Sequence, residues 1–223
     1  MILEVKTLAR SVARKAGLTP TLNRIRALWH ADAYEDKFAA ALLKSIRPDD
    51  CVWDIGANVG FYTEQLSQLA KFVVAFEPIP VNVQQIKARA LANVSCQQFA
   101  LGDLQTQLPM SQNGQYSSLC LSPCVRSDAT RDTVSVIPGD SLVDLPLPNV
   151  VKIDVEGYEP EVIRGMANTL RCVRAAFVEI HFAILEGRGM PQAPAEIVQS
   201  LRTLGFTTIR WVDASHIMAL RGL

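Results

Sequence analysis

The sequence predicts an α/β fold, an open, doubly wound and mostly parallel sheet. Three observations predict it. Short apolar runs alternate with stretches at helical spacing, glycines stand at the strand-to-helix turns, and acidic residues recur at the carboxyl ends of successive runs. In such sheets ligands sit beyond the carboxyl ends of the strands.

The elements follow in chain order. Met1 to His30 carry Lys6, Arg10, Arg14, Lys15, Arg24 and Arg26 against Glu4. Ile2, Val5, Leu8 and Val12 suit a helical extension whose apolar side packs on the domain, and a basic helix on a membrane or acidic partner is the other reading. Charges every few residues leave no apolar run of a secretory signal. Phe38, Ala41, Leu42 and Ile46 recur at helical spacing, and "RPDD" ends that helix. We read residues 1–47 as an N-terminal helical extension or lid and 48–223 as one globular catalytic unit.

Cys51 to Ile55 is a strand, Gly56 to Gly60 a turn, and Phe61 to Ala70 a helix. "KFVVAFEP" is the second strand, Val81 to Leu91 a helix, and "VSCQQFALGD" a single third strand closing on Asp103. Gln105 to Val136 is polar and extended or hairpin-like, ending in the strand "DTVSVIP". Val150 to Val155 is a buried strand that passes a glycine into a helix from about Pro160. "VRAAFVEIHF" is the fifth parallel strand, Ala195 to Leu204 a helix, and Gly205 to Leu220 a closing antiparallel hairpin turning near Asp213 and Ser215.

Composition narrows the function classes. Lys and Arg total 22, as do Asp and Glu, so no basic excess suggests nucleic acid. No run reaches the ~18 apolar residues of a membrane span. Five cysteines, an odd number in mostly apolar surroundings, suit reduced thiols in the cytoplasm. Cys120 and Cys124 lack the second pair that a zinc finger needs.

The turn "DIGANVG" carries the chemistry. A dinucleotide site expects G-x-G-x-x-G, with pyrophosphate on the helix N-terminus. Here only Gly56 and Gly60 are present, flanking Ala57 and Asn58. Asp54, at the strand end, would repel phosphate and suit an ammonium or sulfonium group. Glu77 ends the second strand, where an acid hydrogen-bonds ribose hydroxyls, and Asp103 is placed to accept from an adenine amino group. Adenosine joined to a cationic amino-acid tail is S-adenosylmethionine.

The blocks "DIGANVGFYT", "FEPIPVN", "ALGD", "SSL", "VVKIDVEGYEPEVIRG" and "VEIH" resemble, in order, the motifs of the FkbM family of S-adenosylmethionine-dependent methyltransferases. The resemblance covers roughly Tyr34 to Leu220. It implies a seven-stranded, Rossmann-like class I methyltransferase fold and methylation of a hydroxyl on a sugar or small natural product. S-adenosylhomocysteine would be the product. Asp54, Gly56, Ala57, Asn58, Gly60, Glu77, Pro78, Asp103 and Asp154 would bind the cofactor.

An alcohol acceptor has to lose its proton, which calls for a base or a metal near the methyl group. His181, Asp154 and Glu179 are the catalytic candidates. His181 is the first choice of general base, because imidazole titrates near neutral pH and a carboxylate could orient it. A divalent metal on Asp154, Glu156, Glu179 and His181 is the less favoured alternative, and no metal is assigned. Glu156 also reads as a partner of backbone N–H groups at the coming helix start. Trp29, His30, Tyr34 and Glu35 read as lid or helix end, Ser117 and Ser118 as pocket wall or plain hairpin. His216 reads as structural, and Phe61 and Tyr62 as core.

The acceptor reads as a small molecule or glycan, met by the loops Gln105 to Arg131 and Phe182 to Pro194. Rival readings are a methyltransferase of nucleic acid or protein and a non-catalytic S-adenosylmethionine-binding protein. Against the nucleic-acid reading, "KIDVEG" stands where N-P-P-Y-type motifs would. The missing middle glycine and Asp54 oppose a nicotinamide dehydrogenase.

Overall fold

Strands that lie inside a parallel sheet are covered on both faces, so their sequences are apolar throughout rather than alternating. That is the pattern of β1 (Cys51–Ile55), β8 (Val150–Ile153) and β9 (Ala175–Glu179), where nearly every side chain is buried. The computed structural model describes residues 37–113, 116–119 and 132–222. Met1 to Asp36, including His30, Tyr34 and Glu35, lie outside the described residues, as do Cys120 and Cys124. Residues 37–45 form helix α1, and the residues from Ala41 onward cluster as one compact unit that contains every site residue discussed below.

The main sheet has seven strands in the order β10-β11-β9-β8-β1-β2-β3. The remaining members are β2 (Phe72–Phe76), β3 (Val94–Gln97), β10 (Thr208–Trp211) and β11 (His216–Leu220). Pairings from β3 through β9 are parallel, β11 runs antiparallel to β9, and β10 antiparallel to β11. The strand order reverses direction between β1 and β8, which opens a crevice at their carboxyl ends. The helices between strands are α2 (Phe61–Ser67), α3 (Pro80–Ala88), α4 (Glu159–Gly165), α5 (Ala167–Cys172), α6 (Phe182–Gly187) and α7 (Ala193–Thr203). Among the described residues, no helix is long and apolar enough to cross a membrane.

A large core cluster lies on one face of the sheet, where alternate strand residues such as Trp53, Phe76, Ile153, Val178 and Ile217 pack together, and a smaller one of Ala57, Ala75 and Ile86 lies apart from it. Each fully buried Val, Ile or Phe contributes ~1.5–3 kcal/mol by leaving water. Trp53 sits in the large cluster, its ring edge-on to Phe76 at 5.0 Å, and its indole N–H donates to the Pro146 carbonyl at 3.0 Å. The polar end of a large apolar side chain is thereby satisfied.

The stretch read as one third strand is two. Val94–Gln97 pairs with β2, and after Gln98 and Phe99 the chain departs so that Ala100–Gly102 (β4) joins a separate four-stranded sheet, order β4-β7-β5-β6. Its other members are β5 (Thr106–Asn113), β6 (Tyr116–Leu119) and β7 (Asp132–Pro138). Burial explains the departure. All four β3 residues are only half-buried at the sheet edge, whereas Leu101 is enclosed in the core. The second sheet meets α4 backbone to backbone, since a Cβ on Gly165 would lie 1.7 Å from the Gly102 carbonyl oxygen.

Candidate active site

The crevice is an open cleft, with Gly56, Asn58, Glu77 and Pro78 on one wall and Asp154 and Glu156 on the other. The first wall is set by backbone chemistry. Gly56 adopts φ +79°, and a Cβ there would meet the Asp154 carbonyl oxygen at 1.8 Å. The glycine is therefore demanded by the end of β8 itself. Ala57 is buried behind the turn, its N–H donating to the Phe76 carbonyl at 3.0 Å, and Gly60 precedes α2 at φ +88° against Ile86.

Glu77 follows β2 directly and is 4% exposed. Its Oε2 accepts the Asn58 N–H at 2.9 Å, and its Oε1 accepts the Ile79 N–H at 2.9 Å and the Asn82 side-chain amide at 3.3 Å. The carboxylate is fixed at the wall, and Oε2 keeps a lone pair for a ligand hydroxyl. Burial nonetheless pushes its carboxyl above the ordinary value against those hydrogen bonds.

Asp54 does not face the cleft. It is fully buried: Thr63 Oγ1 donates to its Oδ2 at 2.6 Å, and Lys152 Nζ lies 3.2 Å from its Oδ1. Parallel register places Asp54 opposite Lys152. The same ammonium reaches Asp154 Oδ2 at 3.3 Å and stands over the Tyr62 ring at 5.0 Å. Burial disfavours the charged lysine, but the paired carboxylates raise its pKa overall, so it stays an ammonium. The carboxylate read as the partner of a cationic ligand is thus turned inward, and Asp154 presents one to the cleft instead. Burial alone would raise Asp154; Lys152 and His181 hold it below the usual carboxylate range.

Asp103 is likewise moved. It follows β4 rather than a main-sheet strand, and Arg164 holds its Oδ2 at 2.9 Å. Phe61 is 57% exposed and not core, while Tyr62 lies under Lys152. Ser117 and Ser118 lie in β6, and their side chains fall outside the described residues.

Beyond the carboxyl ends of β8 and β9, Asp154, Glu156, Glu179 and His181 come together. His181 Nε2 lies 3.2 Å from Glu156, 3.7 Å from Asp154 and 3.9 Å from Glu179, while Nδ1 lies 2.6 Å from Glu159 Oε1. Burial opposes the imidazolium, yet the Glu159 hydrogen bond and the surrounding carboxylates push His181 up to about 10. Glu159 is the carboxylate that orients this imidazole, and it leaves Nε2 toward Glu156 and Asp154. Burial among like charges pushes Glu156 up to about 7, and its backbone sits at φ +52°.

Several residues of this network carried no sequence signal that reading used. Glu159, fully buried, accepts the Gly157 N–H at 2.9 Å and so takes the helix-start role considered for Glu156. Lys152 is a charge inside an apolar run, which was itself a usable signal. His216 is tied into the site: its Nε2 is 3.3 Å from Glu179 and its Nδ1 2.9 Å from Asp213. Burial works against its charge, but Asp213 and Glu179 push it up to about 9.

A seven-stranded sheet of this order, with an acid-anchored cleft at its switch point, defines a class I methyltransferase fold. The chain belongs to the FkbM family: the model described as "Methyltransferase FkbM domain" matches residues 54–208. A curated relative, hexuronic acid methyltransferase AglP of Haloferax volcanii, is 36% identical over 154 residues, which are 64% of this chain and 61% of the relative. The solved FkbM methyltransferase of Methylobacillus flagellatus KT superposes with TM-score 0.54 at 13% identity, covering 78% of this chain and 44% of that one. A methyltransferase from Streptococcus mutans, solved with SAH, gives 0.52 at 11% identity over 82% of this chain and 94% of its own. This chain thus spans less than two thirds of the first two relatives.

Proposed function

We propose that the protein transfers the methyl group of S-adenosylmethionine to a hydroxyl of a sugar or sugar-like acceptor. The observation that carries this reading is the pairing, across one cleft, of a fixed Glu77 with an acid and imidazole cluster. The site suits the cofactor. Glu77 offers a fixed oxygen to the ribose, Asn58 and Pro78 line the same wall, and Asp154 offers a carboxylate toward the methionine end. The bound cofactor supplies a methyl carbon already activated by a sulfonium centre.

The chain's own residues then have two tasks. One is to hold the acceptor oxygen about 3 Å from that carbon and in line with the carbon–sulfur bond, which makes the displacement effectively unimolecular. The other is to take the proton. As the oxygen–carbon bond forms and the carbon–sulfur bond breaks, the hydroxyl proton passes to the carboxylate of Glu156, with His181 beside it. Lys152 keeps Asp154 ionised next to them. The relative that acts on hexuronic acid supports a sugar as acceptor.

The test is a thermal shift with S-adenosylhomocysteine and with NAD, followed by transfer of labelled methyl to a panel of uronic acids and neutral sugars. Stabilisation by S-adenosylhomocysteine alone and labelling of a sugar are expected. Failure of S-adenosylhomocysteine to stabilise the protein overturns the reading.

A further inference from the structure

Asp154, Glu156 and His181 each direct one donor atom into a common space, and those atoms lie within 4.8 Å of one another. We propose that they bind a divalent cation of the Mg²⁺ or Mn²⁺ class at the acceptor end of the cleft. The spacing suits such an ion. Ligands about 2.1 Å from an octahedral centre sit about 3.0 Å apart along the edges of one face. His181 Nε2 stands 3.2 Å from Glu156 and 3.7 Å from Asp154, and the third edge is within 4.8 Å, so an inward shift of the donor atoms completes a facial set. Two carboxylates and one imidazole are hard donors that suit these ions, and three positions stay open for water or acceptor oxygens.

The surroundings are organised as the supports of a metal ligand are. A ligating histidine commonly gives its other ring N–H to a carboxylate, which fixes the ring and directs the free nitrogen at the ion. Glu159 is fully buried and lies 2.6 Å from His181 Nδ1, leaving Nε2 toward Glu156 and Asp154. Glu179 stands 3.9 Å from that Nε2, and His216, itself bound to Asp213, holds it from behind at 3.3 Å. Charge points the same way. Asp154, Glu156, Glu159 and Glu179 converge here against Lys152 and the imidazoles of His181 and His216, and a divalent ion that takes the place of the His181 Nε2 proton puts its charge where the carboxylates meet.

Binding of the ion stands on this geometry alone; its use, to orient two acceptor oxygens, rests on the methyltransferase reading. The test titrates Mn²⁺ into chelator-treated protein without cofactor, read by calorimetry and by the electron paramagnetic resonance of free Mn²⁺. One Mn²⁺ per chain is expected, displaced by excess Mg²⁺. His181→Ala and Glu156→Gln should each weaken binding tenfold or more. Glu159→Gln, a positioning change, should weaken it about 10- to 100-fold. Circular dichroism selects the variants that fold, and the wild-type titration decides the matter if none does. Absent Mn²⁺ binding, or equal binding by folded variants, overturns the site. S-adenosylhomocysteine binding measured on the same sample separates this failure from failure of the proposed function.

Discussion

Lys152→Met removes one ammonium from between two carboxylates and leaves the rest of β8 apolar. Lys152 and Asp54 are both buried, with Nζ at 3.2 Å from Asp54 and 3.3 Å from Asp154. At an effective dielectric of about 20, each such pair attracts by about 5 kcal/mol, most of which offsets the cost of desolvating the charges. The loss in the variant comes from what remains: Asp54 is left buried with Thr63 as its hydroxyl donor and no cation. Removing one partner of a buried pair costs about 3–5 kcal/mol, and that is the expected fall in unfolding free energy. Urea denaturation at neutral pH measures it. Lys152→Met combined with Asp54→Asn should recover at least half, because the orphaned charge goes too. A single-variant loss below about 1 kcal/mol, or a double variant less stable than Lys152→Met, would refute the claim that this ammonium neutralises Asp54.

Glu77→Ala deletes the carboxylate proposed to hold the ribose and frees two backbone N–H groups, so calorimetric affinity for S-adenosylhomocysteine should fall about tenfold to hundredfold; unchanged affinity counts against that proposal. Gly56→Ala forces a Cβ against the Asp154 carbonyl at positive φ, and the melting point should drop by several degrees together with cofactor affinity. His181→Ala should spare S-adenosylhomocysteine binding and lower turnover about 10²–10⁴-fold, and normal turnover would remove the cluster from the mechanism. For Asp213, burial alone would raise the carboxyl, but hydrogen bonds from His216 and the Ser215 N–H hold it below its ordinary value. A depressed folded-state pKa contributes stability above the unfolded value of about 4, lost as pH falls through the folded one. Asp213→Asn should therefore lose less stability than wild type when denaturation curves are compared across that acid range.

The sheet was legible because its strands are apolar runs closed by turn residues, and the alternation with helices dictates parallel pairing. The break after Gln97 was not, since "VSCQQFALGD" has the composition of one strand throughout. Only the demand to bury Leu101 beside α4 sends Ala100–Gly102 to another sheet and carries Asp103 with it. In the site, Glu77, Asp154 and His181 could be placed because strand ends face the cleft in any sheet of this kind. The inward turn of Asp54 could not, because its partner Lys152 is brought beside it only by strand register. Glu159 was hidden in "EGYEPE", where three glutamates compete for one helix start and only packing decides which is enclosed. Phe61 shows the converse: an aromatic at a helix start reads as core, yet Phe61 is exposed while Thr63 of the same turn is the residue enclosed.

β11 runs against the grain of its sheet, and that reversal decides what the last hairpin can contribute. A parallel strand in its position would present its final residue at the cleft rim and bury its first at the opposite edge. Running backwards, β11 enters at the rim, with His216 in register with Glu179. The closing hairpin therefore brings His216 to the acidic cluster, 3.3 Å from Glu179. Exchanging residues 205–222 with those of a relative would transplant half of the support behind Glu179, so a chimera joined before Gly205 is a route to altered acceptor preference that leaves the cofactor wall untouched.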